Sequence, residues 1–172
     1  MLLTTCISLN TTINNFVNAG GLYYKAVAAY FNYYLTALKA CEDFRLARQF
    51  YLKTNKLNEA INNLLEEPPS FKRMLALSRY VERMELYLYY LNCSLNGLRS
   101  DLKELSALPS YVCAGNPTEV YLKVFCSISN ITNSLKLELK KSINYLNEEV
   151  RDLGQSLAYY KSVLNGCRVV NG

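Results

Sequence analysis

The sequence predicts an all-α fold: an elongated bundle of four to five helices, with long antiparallel helices patterned in heptads. Three observations lead there. Apolar residues recur in alternating steps of three and four along most of the 172 residues, the spacing of one helix face. Only seven Gly and four Pro punctuate the chain, too few for a loop-rich all-β design. The composition is 51% hydrophobic and 19% charged, which supplies a core and argues against disorder. A chain of this length suits one domain, so residues 1–172 are expected to form a single helical unit.

The elements follow in order. Leu2, Cys6, Leu9, Ile13 and Phe16 keep a helical rhythm, so residues 1–19 read as an uncharged N-terminal helix or arm. The Thr and Asn between them lower its helix propensity. Gly20-Gly21 reads as a hinge into a helix over 22–54, whose seam is Ala26, Tyr30, Tyr33, Ala37, Ala40, Phe44, Ala47 and Tyr51. A short helix over 56–67, with Leu57, Ala60, Ile61 and Leu64 on one face, bridges to Pro68-Pro69. Ser70 then suits the N-cap of a helix over 70–105. Its seam runs without a break through Met74, Leu77, Val81, Met84, Leu88, Leu91, Leu95, Leu98, Leu102 and Leu105.

The connection Ser106–Gly115 is short enough to make that helix and the last one antiparallel neighbours. The last helix spans 117–165, opened by Asn116 as N-cap, Pro117 and the capping-box Glu119. Its seam is Tyr121, Val124, Ile128, Ile131, Leu135, Leu139, Ile143, Leu146, Val150, Leu153, Leu157, Tyr160 and Leu164. The eleven-residue step from Leu135 to Leu146 is a stutter, and Gly166 supplies a stop.

The residue types weigh against catalysis. The chain has no histidine, which removes the commonest metal ligand and general base. The carboxylate pairs Glu42-Asp43, Glu66-Glu67 and Glu148-Glu149 have basic neighbours at helical spacing, such as Arg45 near Glu42, and read as solvated ion pairs. No seam carries a carboxylate, so no metal cage is expected in the core. There is no Gly-rich phosphate loop and no GxSxG elbow. The expectation is a non-enzymatic protein with no cofactor, no metal and no small-molecule substrate.

Six cysteines, Cys6, Cys41, Cys93, Cys113, Cys126 and Cys167, include no CxxC pair. They read as disulfide candidates, with 15 possible pairings if all are joined. Such bonds imply an oxidising compartment or particle, or a hyperthermophile interior. The alternative is that several are small buried hydrophobes.

Of the net charge of +5, most sits in residues 39–83, which hold nine basic against six acidic residues. Arg45, Arg48, Lys53 and Lys56 form one basic region, and Lys72, Arg73, Arg79 and Arg83 a second. On a helix, Lys72, Arg79 and Arg83 fall within roughly 60° of one another. Such groups could follow the phosphates of a duplex without reading its sequence. The competing reading is a solvated face with ion pairs such as Arg79/Glu82.

Between Leu22 and Cys41 the clearly polar positions are Lys25, Asn32, Thr36 and Lys39, on one narrow stripe. A helix apolar most of the way round should be covered on most sides. The segment Leu86-Tyr-Leu-Tyr-Tyr-Leu91 repeats the pattern, and the chain holds 15 tyrosines, a residue enriched at interfaces. Tyr23, Tyr24, Tyr30, Phe31, Tyr33, Tyr34, Tyr87, Tyr89 and Tyr90 are therefore the candidates for self-association. The first 24 residues carry no charge, but polar residues from Thr4 to Asn15 interrupt them, so no signal peptide is expected. The apolar run Ala26–Leu38 is shorter than the roughly 20 residues that span a bilayer.

Tyr-, Asn- and Leu-rich helical sequence without His or Trp, with cysteines suited to disulfides, resembles the helical-bundle virion structural (coat) proteins of hyperthermophilic archaeal viruses. The resemblance is one of composition and architecture over the whole chain, not of a motif. It implies a capsid or nucleocapsid subunit that polymerises, located in the virion and in some cases wrapping double-stranded DNA. The coat proteins that wrap a duplex tend to carry a basic N-terminal arm, which the uncharged residues 1–24 do not provide. Two other readings stand beside it. One is a helical nucleic-acid-binding accessory protein of a larger complex, in the cytoplasm of a hyperthermophile host. The other is a secreted, disulfide-bonded bundle acting as a ligand.

Overall fold

The computed structural model of the protein describes residues 2–18, 31–107 and 120–171, with side chains over 2–14, 35–107 and 126–166. Among them the fold is an all-α helical bundle without a strand. Four helices account for it: α1 (Leu2–Asn18), α2 (Phe31–Glu66), α3 (Phe71–Ala107) and α4 (Val120–Asn171). The chain divides into two compact units. Unit 1 takes Met1–Phe44 and Gly97–Asn144, so it draws on all four helices. Unit 2 takes Arg45–Asn96 and Tyr145–Gly172, segments of α2, α3 and α4.

In unit 1 the α1 rhythm becomes burial: Leu2, Cys6, Leu9 and Ile13 all face inward. Cys6 is disulfide-bonded to Cys41 of α2, and Thr5 donates a hydrogen bond to Glu138 of α4. Also buried in this unit are the small residues Ala37 and Ala40 of α2 and the leucines Leu98 and Leu105 of α3. The α2–α3 contact is antiparallel, because Lys39 meets Asp101 while Asp43 meets Gly97. On α4, Ile128, Leu135, Leu139 and Ile143 are buried, joined by Ser129 and Thr132. Thr132 satisfies its hydroxyl by donating to the Ile128 carbonyl at 2.8 Å, the usual way a threonine is accommodated inside a helix.

In unit 2 the α3 seam is the spine. Leu77, Val81, Met84, Leu88, Leu91 and Leu95 are buried, and α4 answers with Leu146, Leu153, Leu157, Tyr160 and Leu164. Phe50 and Lys53 of α2 lie against Tyr90 and Tyr87 of α3, so these two segments are antiparallel. Lys161 of α4 pairs with Glu85 of α3, and Leu164 and Asn165 lie near Ser78 and Val81, the antiparallel arrangement expected of these helices. Tyr51 meets Tyr145 and Glu149, and Asn58 and Asn62 meet Tyr160, so α2 and α4 run parallel here.

Helix ends show where the sequence signals act. Arg73 N–H donates to Ser70 Oγ at 3.0 Å, which makes Ser70 the N-cap of α3. Glu67 N–H closes the end of α2 on the Leu64 carbonyl at 3.1 Å, just before Pro68-Pro69. Two expected ends are absent. Instead of a 22–54 helix and a separate 56–67 helix, α2 runs unbroken to Glu66. Thr54 and Asn55 are only weak helix formers, and Thr54 is buried with its hydroxyl donated to the Phe50 carbonyl. Nor does Gly166 stop α4, which continues to Asn171; a helical glycine costs only about 1 kcal/mol. The Gly20-Gly21 hinge, the 108–119 connection and the Asn116/Pro117/Glu119 start lie outside the described residues.

Candidate functional site

The heptad that fills the core of unit 2 also decides what its outside looks like. With Leu77, Val81, Met84, Leu88, Leu91 and Leu95 turned in, residues two positions earlier lie about 200° away, on the opposite side of the helix. Those residues are Leu75, Arg79, Glu82, Leu86, Tyr89 and Cys93, and all six are exposed. Leu75, Leu86, Tyr89 and Cys93 are apolar and Arg79 and Glu82 charged, so the outward stripe of α3 mixes exposed apolar side chains with charges of both signs. Phe71 extends it one turn toward the N-terminus and is 70% exposed; Tyr89 is 62% exposed. Arg79, Glu82, Arg83, Glu85, Leu86 and Tyr89 line one shallow concavity on this face.

Aromatic contacts support the stripe from its flank. Tyr90 lies 5.8 Å from Tyr89 in an edge-on arrangement and 5.2 Å from Phe50 of α2. Tyr87 is half-buried, 6.3 Å from Phe50, and the Lys53 ammonium sits 5.5 Å from the Tyr87 ring and 5.8 Å from that of Phe50. Such cation–π placement holds a lysine against its own subunit. Cys93, one turn on, pushes the Tyr89 hydroxyl above the usual tyrosine value.

Of the self-association candidates, Tyr87, Tyr89 and Tyr90 therefore share one region, with Tyr89 the most outward. Tyr23, Tyr24 and Tyr30 lie outside the described residues, as do the side chains of Phe31, Tyr33 and Tyr34. Phe71, Tyr145 and Tyr159 are also well exposed and were not among the expected residues. Tyr145 and Tyr159 sit one position off the α4 seam, so their spacing could have shown it.

All eight basic candidates belong to unit 2. Arg79 and Arg83 share the α3 concavity, whereas Arg45, Arg48, Lys56 and Lys72 are exposed on their helices. Arg73 is half-buried, with its Nε enclosed and without a hydrogen-bond partner. Glu82 and Glu85 stand between and beside the two concavity arginines, so this face is of mixed sign.

The cysteines divide into classes. Cys6 and Cys41 are joined, and Cys126 is disulfide-bonded. Cys93 corrects the expectation: it is a free thiol, because two positions off the core seam it points outward. Cys113 and the Cys167 side chain lie outside the described residues.

The seam reading missed one group. Asp101, not the neighbouring seam residue Leu102, takes the interior position, with its side chain fully enclosed in unit 1. The signal was present as Gly97 one turn before it and the pair Lys39/Asp43 one turn apart on α2. Among the described residues no group of three or more Cys, Asp or Glu could hold a metal ion, and no helix is long and apolar enough to cross a membrane.

A scan against protein-family models, a search of curated proteins and a search of solved structures each found no match for the chain.

Proposed function

We propose that the protein is a non-enzymatic structural subunit that assembles through tyrosine-rich helix faces, as a capsid or nucleocapsid protein of a virion does. The observation that carries the reading is the outward stripe of α3. Phe71, Leu75, Leu86 and Tyr89 are large apolar side chains left exposed on the side of α3 away from the core, and exposed apolar surface rimmed by polar residues marks an interaction site. Leu75, Leu86 and Tyr89 supply the apolar positions, while Arg79 and Glu82 supply charges of both signs, so a copy of the same face can meet it in register. The virion setting rests on the compositional resemblance and on the absence of histidine from the sequence.

Light scattering on a sizing column tests it. The full chain is expected to elute well above 19.6 kDa, and Leu86→Glu with Tyr89→Glu is expected to return it toward that mass. A wild-type chain that stays monomeric at high concentration would overturn the reading.

A second reading, duplex contact by the assembled subunit or by a nucleic-acid-binding accessory protein, is favoured by Arg79 and Arg83 lying beside Tyr89. Binding of a labelled DNA duplex should then fall steeply as salt rises and weaken further in the Arg79→Ala/Arg83→Ala variant. Binding that ignores salt, or none, would remove it.

A further inference from the structure

We propose that Asp43 and Asp101 form a proton-sharing carboxyl pair that makes the α2–α3 contact of unit 1 a pH-sensitive lock, closed while the pair holds one proton and weakened when it is lost. The argument begins with burial. Asp101 is completely enclosed, between the equally enclosed Leu98 and Leu105 on its own helix. An ionised carboxylate placed there must be paired and hydrogen-bonded, or carry a large desolvation cost.

The partners offered are only half sufficient. Lys39 Nζ stands 3.6 Å from Asp101 Oδ1, an ion-pair distance beyond a good hydrogen bond, and most of the lysine side chain is in solvent. Asp43, one turn beyond Lys39 on α2, lies against Gly97, one turn before Asp101 on α3, and its carboxyl acts on that of Asp101. Gly97 makes room for it: a Cβ there would lie 3.2 Å from Asp43 Oδ2.

Two ionised carboxylates cannot bond each other, since neither has a proton to donate. In that state both Asp101 oxygens lack a hydrogen-bond partner. One proton supplies the missing donor and forms the Asp101–Asp43 hydrogen bond. It also brings the charge of Lys39, Asp43 and Asp101 from −1 to zero. Burial, then the hydrogen bond and the charge of Asp43, push the Asp101 carboxyl up to about 7, with Lys39 pulling the other way.

The charged groups that act on Asp101 are Asp43 and Lys39; on α2, Glu42 and Arg45 flank Asp43 in sequence and are exposed. The described part of α1 carries no charged residue, and Arg99, Lys103 and Glu104 on α3 are exposed. On α4, Lys136 and Glu138 are half-buried and Lys140 and Lys141 exposed, and none of them is among the groups that act on Asp101.

The sign follows from linkage. Asp101 takes up its proton near pH 7 in the folded chain and only near its ordinary value of 3.8 when unfolded. Between those values the folded state holds the extra proton, so its stability is fullest at the acid end. It is lost as pH rises through about 7, at up to about tenfold in the folding equilibrium per pH unit.

The chain has three aspartates, Asp43, Asp101 and the exposed Asp152, so carboxyl-labelled aspartate gives a spectrum that can be assigned. In the full wild-type chain, one side-chain carboxyl resonance is expected to titrate near neutrality. The near-neutral resonance is expected to vanish in Asp101→Asn, which keeps shape and can donate without a proton from solution. In parallel, the urea midpoint of the wild type should fall from pH 5 to pH 8 and that of Asp101→Asn should fall less. Three acid-range titrations, or midpoints that move in parallel, would overturn the proposal. If Asp101→Asn does not fold, the wild-type titration alone decides.

Discussion

The two units solve the same problem, covering helix faces with apolar residues, by different means. Unit 1 uses four helix segments, small residues such as Ala37 and Ala40, and covalent closure by Cys6–Cys41. It also tolerates polar interior groups, Asp101, Ser129 and Thr132. Unit 2 uses three segments, an unbroken leucine-rich seam, and tyrosines whose hydroxyls reach across helices. The difference tracks the sequence of α1, where Thr and Asn favour the helix poorly and no charged residue supplies surface pairs. A segment with so little intrinsic helical stability gains from a covalent tie, whereas the long α2, α3 and α4 segments of unit 2 hold one another through packing.

The most severe way to break this contrast is to cut the tie. The Cys6→Ser/Cys41→Ser variant is expected to lose about 3–4 kcal/mol in urea denaturation, from restored freedom of a loop with sequence separation 35. Proteolysis should then begin in α1. A loss of only a few tenths would mean that unit 1, like unit 2, is held by packing alone.

Removing one hydroxyl probes unit 2 more gently. Tyr160 is buried, and its hydroxyl donates to the carboxamide of Asn58 or Asn62, 2.8 Å away in the second case. Tyr160→Phe should keep the ring packing and lose about 1–2 kcal/mol of stability, read by the same denaturation. An unchanged midpoint would show that the tyrosine hydroxyls contribute nothing to what joins α2 to α4.

The smallest effects separate the two units most cleanly, because they differ in sign. At Gly154 in unit 2, an added Cβ meets nothing within 4 Å, so Gly154→Ala should raise stability by about 0.5–1 kcal/mol through helix propensity alone. At Gly97 in unit 1 the same methyl presses on the Asp43 carboxyl at 3.2 Å, and the gain should vanish or reverse. Equal gains at both glycines, measured as thermal midpoints, would show that Asp43 moves aside freely and that the approach to Asp101 is loose.

The exposed edge follows the same division. The tyrosine and leucine stripe of α3 lies in unit 2, where the inward seam is complete without it. Legibility also differs between the units. The inward seam of unit 2 could be read from spacing almost residue by residue, and Ser70 as the N-cap of α3 from its place after two prolines. The outward stripe could have been read the same way, because it is that seam displaced by two positions. In unit 1, three- and four-residue spacing points to Leu102 and Ile131, yet Asp101 and Thr132 are the buried neighbours. A rotation of one residue about the helix axis is about 100°, and which neighbour turns inward depends on what the facing helix presents.

The sequence by itself determined the all-α class, the inward seams of the long helices and the break at Pro68-Pro69, because these follow from local periodicity and from the lost N–H of proline. Only the tertiary structure decided that α2 passes through Thr54 and Asn55, and that Cys6 finds Cys41 while Cys93 stays free on the surface. It also decided that Asp101 is enclosed with Asp43 against it. Each of these depends on which residue of a distant segment stands opposite, and a one-dimensional pattern carries the face of a helix but not the identity of what packs upon it.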